Sequence, residues 1–216
     1  MKKHLRARKA IRNNAGLIAL VFSMLFMRTA IADWSYVPTG SMEPTLYGGD
    51  WVLVSKRHYG PSIPFTSFRL LSTGVPERGD VITFYPPHED VLYVKRVIGI
   101  PGDTILIRGR DVYLNGAKLS SSDVGSAEGV RLAREIVGDV AHAVQYSADR
   151  QLPLMRDEIV VPPGKYFVLG DHRNNSADSR YWGYVDEERI VGKVTHVAVS
   201  FSRMRPLSAR LAIPVS

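Results

Sequence analysis

The feature that most constrains the fold is a series of short apolar runs, each closed by turn residues. The runs are rich in β-branched and aromatic side chains and lie at residues 52–54, 81–85, 91–94, 166–169 and 192–201. Clusters of Gly, Pro and Asp separate them, which is typical of strands joined by tight turns and not of βαβ units. The sequence therefore predicts a mainly β fold, an antiparallel sheet or a barrel-like arrangement.

One turn can be predicted in detail. Residues 111–114 form a short apolar run that is followed by Asn115-Gly116. A type I′ turn needs positive φ at both central residues, and Asn-Gly satisfies that need with little strain, so the pattern predicts a β-hairpin. Two other segments, residues 57–76 and 120–150, show no clear alternation. In the second, residues 130–136 are predicted to hold a short helix within a loop-like insertion.

Charge is distributed unevenly along the chain. Of its 28 Lys and Arg residues, seven precede the first acidic residue, Asp33, which leaves 21 against the 21 Asp and Glu residues. The excess positive charge thus belongs to an N-terminal tail and not to the folded part. This argues against a nucleic-acid-binding surface, which would place the excess on the folded face.

An apolar run, residues 15–27, follows the basic tail and allows two interpretations. It has the charged start, apolar core and small-x-small end, Ala30-Ile31-Ala32, of a cleavable signal peptide. It could instead be a membrane anchor over residues 11–32, with Arg28 reaching the far interface. Because about 20 apolar residues normally span a bilayer, length alone favours the signal peptide. In both interpretations the tail stays cytoplasmic and the chain from Asp33 onward crosses the membrane.

The composition restricts the available chemistry. The chain has no Cys, which excludes disulfides, thiol catalysis and Cys-ligated zinc. Its six His residues are scattered, without a pair at metal-ligand spacing, and surface or structural roles are the simplest interpretation. Three polar clusters remain, at residues 38–46, 93–103 and 170–183. The first presents Ser41 after a glycine, and the second places Lys95 among apolar neighbours on a strand.

A serine needs a base before it can act as a nucleophile. Lys95 either extends to solvent at a sheet edge or is desolvated in the interior. A desolvated lysine has a lowered pKa, and its neutral amine is then a usable base near neutral pH. Ser41 and Lys95 could therefore form the Ser-Lys variant of the nucleophile–base pair.

These clusters resemble those of bacterial type I signal peptidases (leader peptidases), serine proteases that remove signal peptides from exported preproteins. The resemblance covers residues 28–103 and 164–200 and rests on four blocks in the family's order: PTGSMEPTL at 38–46, RGDVITFYPP at 78–87, YVKRVIGIPGD at 93–103 and GDHRNNSADSRYWG at 170–183. It implies a mostly antiparallel β fold with a membrane-associated apolar surface.

The resemblance also implies roles for individual residues. Ser41 would be the nucleophile and Lys95 the general base. Supporting roles would fall to Ser176, which orients the lysine amine, to an Asp178–Arg180 ion pair, and to Thr39, whose hydroxyl would form the oxyanion hole with the Ser41 N–H. Substrate pockets would be lined from Val37, Met42, Leu46, Tyr93 and Val94. The chain departs from the family at His172-Arg173-Asn174, where Asn-Arg-Asp is usual.

The implied organisation is a cytoplasmic tail (1–14), a retained transmembrane anchor (15–32) and an extracytoplasmic catalytic domain (33–216) with a possible insertion at 104–164. The protein would be a single-pass inner-membrane enzyme, a monomer that contacts lipid and preproteins but not nucleic acid, with no metal or cofactor. The small-x-small end at Ala32 leaves self-cleavage open.

Three alternatives remain open. The chain could be a specialised relative that matures one substrate, such as a conjugation pilin. It could be a Ser-Lys self-cleaving regulator, although the membrane segment and the neutral folded part argue against this. It could also be an inactive membrane-tethered module that binds peptides, an idea opposed by the joint presence of Ser41, Lys95, Ser176 and Asp178.

Overall fold

The computed structural model describes residues 14–17, 19–20, 32–60, 74–127, 129–152, 155, 157–201 and 213–215. Residues 15–17 and 19–20 are helical, and the rest of the predicted anchor up to residue 31 lies outside the described residues. Within the described part, no helix is both long and apolar enough to cross a membrane. The fold is mainly β and antiparallel, as the turn pattern predicts.

The strands, in chain order, are β1 (Ala32–Tyr36), β2 (Asp50–Ser55), β3 (Val81–Phe84), β4 (Tyr93–Gly99), β5 (Thr104–Arg108), β6 (Asp111–Leu114), β7 (Ala117–Lys118), β8 (Ser121–Ala127), β9 (Val130–Val137), β10 (Val140–Ser147), β11 (Ile159–Val160), β12 (Lys165–Leu169), β13 (Val185–Asp186), β14 (Ile190–Ser200) and β15 (Ile213–Pro214). A short helix, α1 (Ser179–Trp182), and a 3-10 helix (Glu187–Arg189) lie between β12 and β14.

These strands form three sheets. The largest has the order β1-β2-β14-β3-β4-β12-β13, with β15 added to β14. The segment predicted as an insertion contains a four-stranded sheet, β11-β5-β6-β7, and a separate three-stranded sheet, β10-β9-β8. β4 therefore lies in the interior of the main sheet: β3 pairs with its first half and β12 with its second half, and side chains pack on both of its faces.

The burial of β4 shows this directly. From Val94 to Gly99 every residue is buried. Val94 packs in one apolar cluster with Met42, whereas Val97 packs in another with Phe84 and Val168. A side chain that points from this strand toward either face is thus removed from bulk water.

The hairpin prediction is confirmed. β6 and β7 pair with Leu114 opposite Ala117, and Asn115 and Gly116 have φ values of 53° and 77°. Positive φ at both positions is what the type I′ geometry requires.

The helix prediction for residues 130–136 is wrong, because this segment is strand β9. Ala133, Glu135 and Val137 point inward, while Arg134 and Ile136 are exposed. A buried acid and an exposed isoleucine reverse the usual polarity of an alternating strand, so the period of two is hidden in the sequence.

Glu135 is buried because it has a charged partner. Its carboxylate accepts two hydrogen bonds from Arg173, one of 2.9 Å from Nη1, and both side chains are 2% exposed. This pair joins β9 to the loop that follows β12. Removing one partner of a buried ion pair lowers the free energy of unfolding strongly, because the remaining charge stays without a partner in the interior.

The Glu135→Gln variant should therefore be less stable than the wild type by about 3 kcal/mol, since Arg173 would lose its counter-charge. Urea unfolding followed by circular dichroism would measure this change. Asp123→Asn is the matched control: Asp123 pairs with Arg131 on the same small sheet, but both side chains are exposed, and little change is expected. Equal effects of the two substitutions would contradict the prediction.

Candidate active site

Three segments that are distant in sequence come together at one site. The first is the turn over residues 41–45, the second is β4 itself, and the third is the loop 170–178 that follows β12. β12 pairs with β4, with Leu169 opposite Arg96, which brings the start of the loop beside the middle of β4. The His172 N–H then donates to the Ser41 carbonyl at 3.1 Å, which ties the loop to the turn.

Ser41 and Lys95 are in direct contact. Lys95 Nζ lies 2.7 Å from Ser41 Oγ and 2.9 Å from the Val94 carbonyl oxygen. Lys95 is 4% exposed and Ser41 is 9% exposed. Of the two fates that the sequence leaves open for Lys95, an edge position in solvent or desolvation in the interior, the structure shows the second.

Burial lowers the pKa of Lys95 from 10.5 to about 8. Desolvation is the largest cause, because it penalises the ammonium form. The carboxylates of Asp178 and Asp171 oppose this shift and raise the pKa, whereas Arg180 lowers it. A substantial fraction of the amine is therefore neutral at mildly alkaline pH and able to accept the Ser41 proton.

Thr39 lies on the solvent side of Ser41. Its Oγ1 is 3.4 Å from Ser41 Oγ, and the residue is exposed. The threonine hydroxyl and the serine oxygen thus border the same open space. A substrate carbonyl that approached Ser41 from this side would meet the Thr39 hydroxyl.

Asp178 and Arg180 form the ion pair that the resemblance implies. Arg180 Nε and Nη2 each lie 2.7 Å from a carboxylate oxygen of Asp178, and both side chains are buried. Asp178 also accepts a 3.0 Å hydrogen bond from the Gly170 N–H. The pair therefore anchors the beginning and the end of the 170–178 loop to each other.

Ser176 differs from its expectation. It is buried, but its hydroxyl makes no hydrogen bond in the described part of the chain, so the implied contact with the Lys95 amine is not formed. The hydroxyl lies instead next to Gly170, where an added Cβ would collide with both Ser176 Oγ and the Ser41 carbonyl oxygen. Only glycine fits at position 170, between the loop and the nucleophile turn.

An apolar cleft of about 380 Å³ opens over Ser41 and Lys95. Four of the five residues expected to contact substrate line it: Val37, Met42, Tyr93 and Val94. Leu46 does not line the cleft; it is fully buried beneath it, in the cluster that contains Val37 and Met42.

Sequence reasoning missed several lining residues, namely Val91, Leu92, Asn175 and Ala177. Asn175 and Ala177 flank Ser176 in the third polar cluster. Their position next to a residue already expected at the site is the signal that could have found them.

A hydroxyl in contact with a buried amine, at the floor of an apolar cleft, provides a candidate nucleophile and a candidate base, the two groups that a serine hydrolase needs. The chain is a serine peptidase. It belongs to the signal peptidase family, peptidase S26, whose family model matches residues 11–199.

Two signal peptidases from Pseudomonas species agree with this assignment. Signal peptidase I of Pseudomonas aeruginosa is 35% identical over 198 residues, which cover 84% of this chain and 70% of that protein. Signal peptidase I of Pseudomonas fluorescens is 36% identical over 201 residues, with the same coverage. A crystal structure of a signal peptidase I from Enterococcus faecalis V583 is 32% identical, covers 57% of this chain and 100% of its own, and has a TM-score of 0.39.

The state of the Lys95 amine can be measured directly. Nuclear magnetic resonance of the lysine side-chain carbons should show Lys95 titrating near pH 8, whereas the exposed Lys118, paired with Asp111, should titrate above 10.5. The unfolded chain keeps the Lys95 proton up to about pH 10.5, whereas the native state releases it near pH 8. Between these two pH values the unfolded chain therefore binds more protons than the native state. This residue should therefore make stability rise with pH across that window. A Lys95 titration at 10.5 would contradict the prediction.

Proposed function

We propose that this protein is a membrane-attached serine endopeptidase that cleaves N-terminal signal peptides from exported preproteins after small-x-small sites. Ser41 is the nucleophile and Lys95 is the general base. The observation that carries the proposal is the 2.7 Å contact between the Ser41 hydroxyl and a lysine amine that is 4% exposed. Membership of the signal peptidase family supports the substrate class.

In the first step, neutral Lys95 accepts the Ser41 proton while Oγ attacks the scissile carbonyl carbon. The carbonyl oxygen becomes negatively charged and is stabilised by the Ser41 N–H and the Thr39 hydroxyl, each worth about 3 kcal/mol. The Lys95 ammonium then gives its proton to the leaving amine, and an acyl-enzyme remains on Ser41. Water activated by the same amine releases the acyl group and restores Ser41.

The cleft accounts for the preference for small side chains. A peptide that lies extended beside a strand presents every second side chain to the same face. The last residue before the cut and the third-last residue would thus both face the shallow apolar surface formed by Val37, Met42, Tyr93 and Val94. Small side chains such as alanine fit there, and long ones would keep the carbonyl away from Ser41.

Membrane attachment supplies proximity. The basic tail and apolar run at residues 2–27 would hold the peptidase in the bacterial inner membrane, with the tail cytoplasmic and the catalytic part outside. A preprotein's own apolar segment lies in the same bilayer, so enzyme and cleavage site meet in a confined layer. This converts a search in three dimensions into one near a surface.

The Ser41→Ala variant should lose essentially all cleavage of a preprotein with an Ala-x-Ala site, because no oxygen remains to attack the carbonyl. Lys95→Arg should be equally inactive, since a guanidinium is not neutral at any working pH. Gel assays of preprotein processing measure both. Lys118→Arg, an exposed substitution, is the control and should keep full activity. Turnover by either active-site variant would remove the assignment.

The pH dependence of cleavage should follow the lysine amine. Below about pH 8 the ammonium form predominates, so kcat/KM should fall about tenfold for each unit of pH, and above it the rate should level off. A continuous assay with a fluorogenic peptide between pH 5 and 9 tests this. A flat profile over that range would show that Lys95 is not the base.

A generalist enzyme and a specialised relative would share this chemistry. Incubation of the protein with a mixed set of exported preproteins separates the two, because the generalist trims many substrates and the specialist trims one. An inactive peptide-binding module would trim none.

A further inference from the structure

His172 contacts both peptide groups that flank the nucleophile. Its main-chain N–H donates to the Ser41 carbonyl at 3.1 Å, and its ring Nδ1 lies 3.3 Å from the Gly40 carbonyl oxygen. The residue is 5% exposed. One residue of the 170–178 loop thus holds the chain on both sides of Ser41.

The Gly40 contact matters because of peptide geometry. The Gly40 carbonyl and the Ser41 N–H belong to one planar trans peptide and point in opposite directions. Holding the carbonyl therefore fixes the direction of the N–H. Gly40 O also accepts from the Glu43 N–H at 3.1 Å, a bond within the turn, and it has a second lone pair for the His172 ring.

The ring is held from its other side as well. Nε2 lies 2.7 Å from Ser147 Oγ, a hydroxyl on β10 that can donate or accept. Nδ1 also lies 3.0 Å from the Gln145 amide nitrogen, which itself lies 3.1 Å from Glu43 Oε2. A second amide nitrogen, that of Asn175, lies 3.4 Å from Nδ1. These two amides and Gly40 O therefore compete for Nδ1, and only the tautomer that carries its proton on Nδ1 can donate to Gly40 O.

We propose that His172 is a positioning residue for the oxyanion hole: its Nδ1–H holds the Gly40–Ser41 peptide so that the Ser41 N–H points at the developing oxyanion. The inference rests on the proposed function, in which that N–H is an oxyanion donor. Ser147 completes the arrangement by donating to Nε2, and thereby connects the separate β8–β10 sheet to the nucleophile.

Two substitutions of similar size distinguish the role of Nδ1 from that of Nε2. In His172→Asn the side-chain amide nitrogen falls near the position of Nδ1 and can still donate to Gly40 O. In His172→Gln the amide reaches the position of Nε2, near Ser147, and the Gly40 contact is lost. Gln145→Met is a further control, because it removes the nearer of the two competing amides and leaves the His172 ring in place.

Two peptides ending in Ala-x-Ala serve as probes. In the aldehyde, Ser41 Oγ adds to the carbonyl carbon, the serine proton passes to the Lys95 amine, and the aldehyde oxygen becomes an oxyanion. The corresponding peptide amide fills the same cleft without forming one. His172→Gln should weaken aldehyde binding about tenfold more than amide binding, which is less than the roughly 10²–10³-fold effect of deleting a donor outright.

In the same variant kcat should fall about tenfold with KM unchanged, whereas His172→Asn and Gln145→Met should stay within a few fold of the wild type. Equal weakening of both probes by His172→Gln, or equal losses in the Asn and Gln variants, would overturn the proposal. Should the Gln variant fail to fold, ¹⁵N resonances of the wild-type imidazole decide: a protonated Nδ1 supports the proposal, and an unprotonated one overturns it.

The Ser41→Ala variant separates this inference from the proposed function. If it still cleaves preprotein, the proposed function itself fails. If it is inactive while His172→Gln weakens both probes equally, only the role of His172 is wrong.

Discussion

The site depends on the removal of one amine from water. Lys95 lies in β4, inside the main sheet and between apolar clusters on both faces, so the residue is only 4% exposed and reaches solvent only through the cleft. A lysine on an edge strand would keep its ammonium form and could not take a proton from serine. The order of strands in the sheet therefore determines the protonation state of Lys95, because it determines that the amine lies in the interior and not in solvent.

Two carboxylates near the Lys95 amine favour its charged form, against the effect of burial. Asp171 and Asp178 are both near Lys95, but each is already paired with an arginine, Arg96 and Arg180 respectively. Arg180 lowers the Lys95 pKa and so counters part of the effect of the carboxylates, but the largest cause of the lowered pKa is desolvation. The two buried ion pairs thus act on the structure, by anchoring the 170–178 loop, and on the electrostatics, because they place both the carboxylates that raise the Lys95 pKa and the Arg180 charge that lowers it near the amine.

Local pattern predicts much of this fold, and the failures have physical causes. The Asn115-Gly116 hairpin could be predicted because its turn chemistry is contained in two residues. Strand β9 could not, because Glu135 points inward toward an arginine that lies on another segment. The Ser41–Lys95 contact spans 54 residues and follows from strand pairing, so spacing alone could only suggest it; the resemblance of whole blocks made it specific.

The 170–178 loop connects the strand that carries the base to the turn that carries the nucleophile. At its start Asp171 binds Arg96, which neighbours Lys95 on β4; at its end Asp178 binds Arg180; between them His172 contacts the peptides on both sides of Ser41. The base and the nucleophile are thus positioned by the same short segment. A displacement of this loop would change the lysine environment and the serine backbone together, and the two halves of the dyad would be gained or lost as a unit. These contacts explain why most of a loop with few apolar side chains is buried, including the charged residues Asp171, Arg173 and Asp178.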